Sequence, residues 1–517
     1  MTEPSEIDER TVRVARKGGT APRVFRAVGG TALGLIVIAG VGLVILATSL
    51  LHLPKIGEPI AAQKVSPVAT DRVRVCPGPV IRLGDSSGAE ATNPVTVGSP
   101  TILKASTLGE SVLQPLKPAG DPSNVPPQLI RLSPTEDGEL GLIAGSQTQS
   151  LNESDLVGFV AANCTKQDSD FWLVAGSSGI GRTSLILLSN PSSVDSQVKF
   201  EIFSENGPVD LAGADGITVP AGSQYVISLA GLASGLISPV VHIESEGGRI
   251  TAQLQESIVR TLTPGGTEII GPDAKPSANL TIPGVVITDQ GGVGTLASLP
   301  GYEDISGILR VLVPTQSVSK ADATGDGSAN ITVTAIPEDS STDSTSASFS
   351  IDVGKVTDLP LADFAPGDYT FLITSDLPAV AAVRTATAEV ASSAESSDPN
   401  SIPSVSAIDF AWFNAADPLT EPTLVSVAPG PSPKLHLANT SSESAVVTVT
   451  PNSGADNTVT IPANSVVAVP VTDGLTYEVA GYTKLNISVS YQGEGELASF
   501  TIQPQLRQSK SIDVYLG

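Results

Sequence analysis

The stretch Ser184–Phe203, SLILLSNPSSVDSQVKFEIF, decides the fold. An apolar strand runs up to Asn190, a Pro-Ser-Ser turn follows, and the chain then alternates through Val198-Lys199-Phe200-Glu201-Ile202. Alternation with period two marks a strand with one buried face. The pattern continues through ITVPAGSQYVISL, residues 217–229, to VVHIESEGGRITAQLQ, residues 240–255. The same parts recur in the same order from Lys434: KLHLANTSSESAVVTVTP, then VTIPANSVVAVPV at 459–471, then KLNISVSYQGEGELASFTI at 484–502. Both copies carry the strand-ending Asn (Asn190, Asn439), a Pro-Ala turn (Pro220 to Ser223, Pro462 to Ser465) and a Gly-rich tip. A more divergent copy lies between them, from GILRVLVPTQS at Gly307 to DYTFLITSDLPAVAAVRTA at Asp368. Repetition of one unit of this size predicts a mainly β protein of tandem, immunoglobulin-like β-sandwiches. A β-propeller-like arrangement is the alternative, although propeller blades are shorter, about 40–50 residues.

Upstream of the repeats, Ala27–Leu53 holds 27 residues without a single Asp, Glu, Lys or Arg. A helix needs about 20 apolar residues to cross a bilayer, so one transmembrane helix is expected here. Arg10, Arg13, Arg16, Lys17, Arg23 and Arg26 precede it and only Lys55 closely follows. That asymmetry places the N-terminus in the cytoplasm and the body outside. A cleaved signal peptide is the rival reading, with Ala61-Ala62 near a cleavage site, but the apolar region is too long for one.

Beyond residue 26 the chain has 22 basic and 49 acidic residues, a net charge of −27. Such a body repels nucleic acid and anionic lipid headgroups. Cys76 and Cys164 are the only cysteines and both lie beyond the anchor. In an oxidising compartment an even pair reads as a disulfide.

The expected organisation is a cytoplasmic tail (1–26), transmembrane helix (27–53), stalk (54–72) and Pro/Gly-rich β region closed by the disulfide (73–170). Three sandwich repeats follow at 171–290, 291–400 and 401–517. Ser-rich, acidic residues 338–350 and 391–406 read as loops.

Little in the sequence points to catalysis. VAGSSGIGR, Val174–Arg182, resembles a dinucleotide-binding glycine turn, but its spacing is wrong and a strand follows it instead of a helix. It reads as a loop between strands. Only His242 and His436 lie outside the anchor, both in strand patterns, so a Ser-His-Asp site would depend on one of them. No metal site or cofactor is expected, since Asp322-Ala-Thr-Gly-Asp326 has incomplete calcium-ligand spacing. Trp172 and Trp412 are the candidate aromatic platforms for a glycan, each explained equally well by a structural role in the repeats.

Several short motifs carry a resemblance. They are Val75-Cys76-Pro77-Gly78-Pro79 after the anchor, the second cysteine in Ala161–Cys164, then Trp172, a Gly-rich stretch and Leu185–Pro191. The arrangement, over about residues 73–505, resembles the actinobacterial membrane-anchored proteins grouped as the domain of unknown function DUF5719. The resemblance implies an envelope protein with no established activity, and it brings no catalytic residues. The expectation is a non-enzymatic scaffold or adaptor on the outer face of the cytoplasmic membrane, with an envelope protein as partner. A cell-wall glycan-binding module is the alternative, and an envelope enzyme using His242 or His436 is the remaining one.

Overall fold

The computed structural model describes residues 69–505 except 85–91, 212–215, 261, 289, 318–326, 340–342, 362–363 and 391–404, together with Ala62–Val65, Ile512–Tyr515, Gly40, Val41, Leu43 and Leu46. The chain forms two compact units, one of residues 1–66 with 511–517 and one of Pro67–Lys510. In the first, Ala62–Val65 pairs antiparallel with Ile512–Tyr515, so part of the expected stalk is a strand. Gly40, Val41, Leu43 and Leu46 are helical and exposed. The rest of the expected membrane helix lies outside the described residues, among which no helix is long and apolar enough to cross a membrane.

The second unit is built on the repeat. Its first copy holds β1 (Asp170–Leu173), β2 (Arg182–Asn190), β3 (Ser196–Ser204), β4 (Ile217–Val219), β5 (Ser223–Ser228), β6 (Val240–Gly247), β7 (Thr251–Arg260) and β8 (Thr263–Ile270). They make two antiparallel sheets, β1-β6-β3-β4 and β5-β2-β7-β8. The middle copy holds β9 (Ser277–Ile287), β10 (Ile308–Leu312), β11 (Ser328–Pro337), β12 (Thr345–Asp352), β13 (Thr357–Pro360), β14 (Gly367–Val390) and β15 (Val405–Asn414). Here the sixth and seventh strands are fused into the 24-residue β14. Its first half joins β9-β14-β11-β12 and its second half joins β13-β10-β14-β15.

The third copy runs through β16 (Thr423–Val427), β17 (Lys434–Asn439), β18 (Ala445–Pro451), β19 (Asn457–Ile461), β20 (Ser465–Pro470), β21 (Leu475–Ala480), β22 (Asn486–Gly493) and β23 (Glu496–Thr501). It repeats the order as β16-β21-β18-β19 and β20-β17-β22-β23. Each copy thus contributes two antiparallel sheets. β15, which lies beyond the boundary expected at residue 400, pairs with β14. Edge strand β12, residues 345–352, overlaps the stretch 338–350 that reads as a loop. Residues 391–404 and the Asp322–Asp326 segment lie outside the described residues.

A fourth, reduced copy occupies the region expected as an irregular β segment. Arg72–Cys76, Gln128–Leu132 and Val112–Pro115 pair in that order, matching β1-β6-β3. Thr101–Ser106, Ile143–Asn152 and Val157–Asn163 pair in that order, matching β2-β7-β8. The β4–β5 hairpin has no counterpart in it, and a small Val80–Leu83/Pro94–Val97 ladder is inserted instead. Cys76 and Cys164 are bonded across its two ends.

Burial explains the two patterns seen in the sequence. In β2 the run Leu185–Leu188 is covered on both faces: Ile186 and Leu188 enter the core of the first copy, while Leu185 and Leu187 pack with Val80 and Val160 of the reduced copy. β3 alternates because only one of its faces is covered. The strand-ending asparagines do the same work in both copies. Asn190 Nδ2 donates to the carbonyls of Val194 (2.8 Å) and Val219 (3.0 Å), and its Oδ1 accepts from the N–H (3.0 Å) and hydroxyl (2.6 Å) of Ser192. Asn439 Nδ2 donates to Glu443 (2.8 Å) and Ile461 (3.1 Å), and its Oδ1 accepts from the N–H (3.1 Å) and hydroxyl (2.6 Å) of Ser441.

The last strands of the four copies meet. β8 packs against β15, β15 against β23, β23 against Val157–Asn163, and that strand against β8, which closes a ring. Asp409, on β15 and fully buried, ties three of them. Its Oδ2 accepts the N–H of Phe159 (2.8 Å) and of Leu497 (3.1 Å), and its Oδ1 accepts its own neighbour Phe410 (3.0 Å). Gly158, at φ +110°, permits this approach, since a Cβ there would stand 2.3 Å from Asp409 Oδ1. On the fourth strand, Glu268 is fully buried and neither carboxyl oxygen has a partner among the described residues. Burial, then the nearby Asp409 carboxyl, push Glu268 well above the usual carboxylate range.

Two predictions follow from these contacts. Asn190→Ala and Asn439→Ala should each cost about 1–3 kcal/mol in urea unfolding, because each strands buried carbonyl and N–H groups. A loss at only one site would show that the two knots are not equivalent. The raised pKa of Glu268 favours its protonated form in the fold, whereas the unfolded chain ionises it near its ordinary value. Its share of stability is therefore present at acid pH and is lost as pH rises above that value. Glu268→Gln should stabilise the protein by about 1–3 kcal/mol at pH 8 and by almost nothing at pH 4 in thermal melts.

Candidate functional site

Arginines inside apolar strands line a charged cavity. Arg310 sits in the β10 run Ile308–Leu312 and is buried. Its fork grips Asp358 of β13 at 2.9 and 3.0 Å, and its Nη1 donates to the carbonyls of Gly176 (2.8 Å) and Pro239 (3.1 Å) in the first copy. Its guanidinium lies 4.8 Å from the ring centre of Trp412, and that of Arg384, on β14, lies 5.7 Å away. Trp412 Nε1 donates to the buried Glu256 at 2.8 Å. Asp304, in the loop before β10, binds Arg182 (2.5 Å), Arg260 (2.9 Å) and, through its carbonyl, Arg384.

The cavity that these groups floor measures about 540 Å³ and is lined by Ser177, Ile180, Arg182, Ile237, Asp304 and Arg384 among others. Ile180 is 100% exposed and Ile237 is 67% exposed, so the lining carries two uncovered aliphatic side chains. Burial alone would raise Asp304 and Asp358, but the arginines outweigh it and hold both carboxyls below the usual range. Burial raises Glu256 and pulls the Arg384 guanidinium down. Three arginines, Arg182, Arg310 and Arg384, thus share the lining with three carboxylates, Glu303, Asp304 and Asp358.

None of these cavity residues emerged as a site from the sequence. A signal was present: Arg260, Arg310 and Arg384 each interrupt an apolar strand run, where an unpaired charge is costly. The glycine turn Val174–Arg182 is a loop between β1 and β2, and its Ser177, Gly179 and Ile180 line the cavity.

The structure places both tryptophans, the candidate glycan contacts, inside the body. Trp172 is 4% and Trp412 is 1% exposed, and neither presents a face to solvent. Trp172 stacks on His242 with ring centres 4.2 Å apart and on Phe203 at 6.1 Å. His242 lies between Glu201 (3.1 Å) and Asp170 (3.0 Å). Burial alone would lower its pKa, but those hydrogen bonds prevail and raise it.

His436 stands in the geometry of a hydrolytic relay, with Nε2 2.7 Å from Ser490 Oγ and Nδ1 2.6 Å from Glu338 Oε2. All three side chains are sealed between the middle and third copies. Glu338 also accepts from Thr370 (2.8 Å) and the Gly284 N–H (3.1 Å), as a structural anchor would. No group of His, Cys, Asp and Glu suited to a metal occurs among the described residues.

No curated protein matches the chain. The family model of unknown function DUF5719 matches residues 119–472, from within the reduced copy through most of the third. The chain belongs to that family.

Proposed function

We propose that this protein is a non-enzymatic scaffold or adaptor of the actinobacterial cell envelope, held by a single N-terminal membrane helix with its body outside. In this reading the paired-sheet copies are immunoglobulin-type β-sandwiches, and the partner is an envelope protein. The observation that carries it is the fate of the one Ser-His-carboxylate relay found among the described residues. Ser490, His436 and Glu338 are 0–1% exposed, so a relay that could activate a nucleophile fastens two copies instead. The uncharged Ala27–Leu53 stretch with its basic N-terminal flank supports the anchor. The Cys76–Cys164 bond suits an oxidising compartment. The buried tryptophans remove the specific support for glycan binding.

The body, residues 54–517, is predicted to co-sediment with cell-wall preparations that retain their proteins and to stay in the supernatant with stripped sacculi. Binding to stripped sacculi would overturn the protein-partner reading. Release of wall fragments by the purified body would overturn the non-enzymatic one.

A further inference from the structure

The arginine cavity between the first and middle copies has one guanidinium edge to spare. Arg384 is 7% exposed and donates to the carbonyl of Asp304, with no other hydrogen bond among the described residues. It lines the cavity, unlike Arg260, whose Nη1 lies against Gly265. Arg310 and Arg182 are fully engaged: Arg310 by Asp358 and three carbonyls, Arg182 by Asp304 and the carbonyl of Ile180. A desolvated guanidinium with an open edge is a receptor for a planar anion, which it binds through two parallel hydrogen bonds. Ile180 and Ile237 give the same cavity apolar contact surface.

We infer that this cavity captures the free C-terminal carboxylate of a partner polypeptide whose last residue is apolar. The carboxylate pairs with the open edge of Arg384, and the aliphatic side chain rests against Ile180 and Ile237. Capture of a chain terminus is a recurrent recognition mode, because one charge and one pocket select a single point on a long partner. The site stands whether or not the body lies outside a membrane, so its failure and that of the scaffold reading are separable.

Trp412 reports on occupancy, since Arg384 and Arg310 both lie over its ring. The full chain in detergent would be titrated with acetyl-Ala-Leu as free acid, with the same peptide as C-terminal amide, and with octyl phosphate, following tryptophan fluorescence. The free acid should give a saturable change, and the amide should bind about tenfold more weakly or worse, having lost the charge that Arg384 needs. Arg384→Gln should weaken the acid by about the same factor. Ile180→Ser, at a fully exposed position that leaves folding intact, should weaken it several-fold with an unchanged melting temperature. Equal binding of acid and amide, or no saturable change with the wild-type chain, overturns the proposal. Binding of octyl phosphate without the peptide also overturns it and assigns the cavity to a lipid or phosphate anion. Should Arg384→Gln fail to fold, the acid–amide comparison and Ile180→Ser still decide.

Discussion

One carboxyl group, that of Asp409, holds the closing point of the ring. It is buried with no cation beside it among the described residues and is satisfied by three backbone N–H groups, two of them from strands that lie some 90 and 250 residues away in sequence. Burial raises its pKa well above the usual carboxylate range, and those N–H groups only partly oppose the rise. A hydrophobic side chain of similar size could fill the space, but it could not pair the N–H groups of Phe159 and Leu497, and orphaned buried N–H groups are costly. The neighbouring copies are consequently set relative to one another by hydrogen-bond geometry as well as by shape.

Away from the axis, each junction uses a different chemistry on the same scaffold. The reduced copy meets the first through glutamines that pair its backbone: Gln255 accepts from the Ile81 N–H at 2.8 Å and donates to its carbonyl at 2.6 Å, and Gln224 donates to the carbonyl of Pro77 at 2.8 Å. The first and middle copies meet over Arg310, whose charge is spread across Asp358, three carbonyls and the face of Trp412. Arginine suits that setting because its planar fork is weakly hydrated and satisfies several acceptors at once. The middle and third copies meet over His436 and Glu338, with Lys434 and Asp368 paired at 2.6 Å beside them. Buried polar contacts of this kind add little net stability but disfavour other registers, where they would be left unpaired.

The strand pattern was legible from the sequence because the first and third copies follow the same local rule. An apolar run buried on both faces, an asparagine knot and an alternating strand recur as residues 184–202 and 434–449. The reduced copy was not legible, because it lacks the β4–β5 hairpin that carries the Pro-Ala turn, and Pro77 and Pro79 break its first segment. The fused strand β14 hid the middle copy's hairpin for a different reason: its two halves run on as one strand although Asp376 and Pro378 stand at their junction. The roles of Trp172 and Trp412 stayed open in the sequence because composition cannot tell a sheet-facing tryptophan from an exposed one. The cavity was invisible since Arg182, Asp304, Arg310, Asp358 and Arg384 come from five separate segments, which only the packing of two copies brings together.

Ring closure also sets a timetable for biogenesis. The strand Val157–Asn163 packs on β23, whose residues emerge from the ribosome more than three hundred positions later, and Arg74 donates to Gln503. Each copy can bury its own core as it is made, but the first-made copy keeps its ring-facing side open until the last has arrived. Contacts of such sequence separation are slow to form, and the apolar surface that awaits them is open to misassembly in the interval. The Cys76–Cys164 bond lies within the earliest segment and needs nothing downstream, so it can hold the reduced copy in shape through that wait.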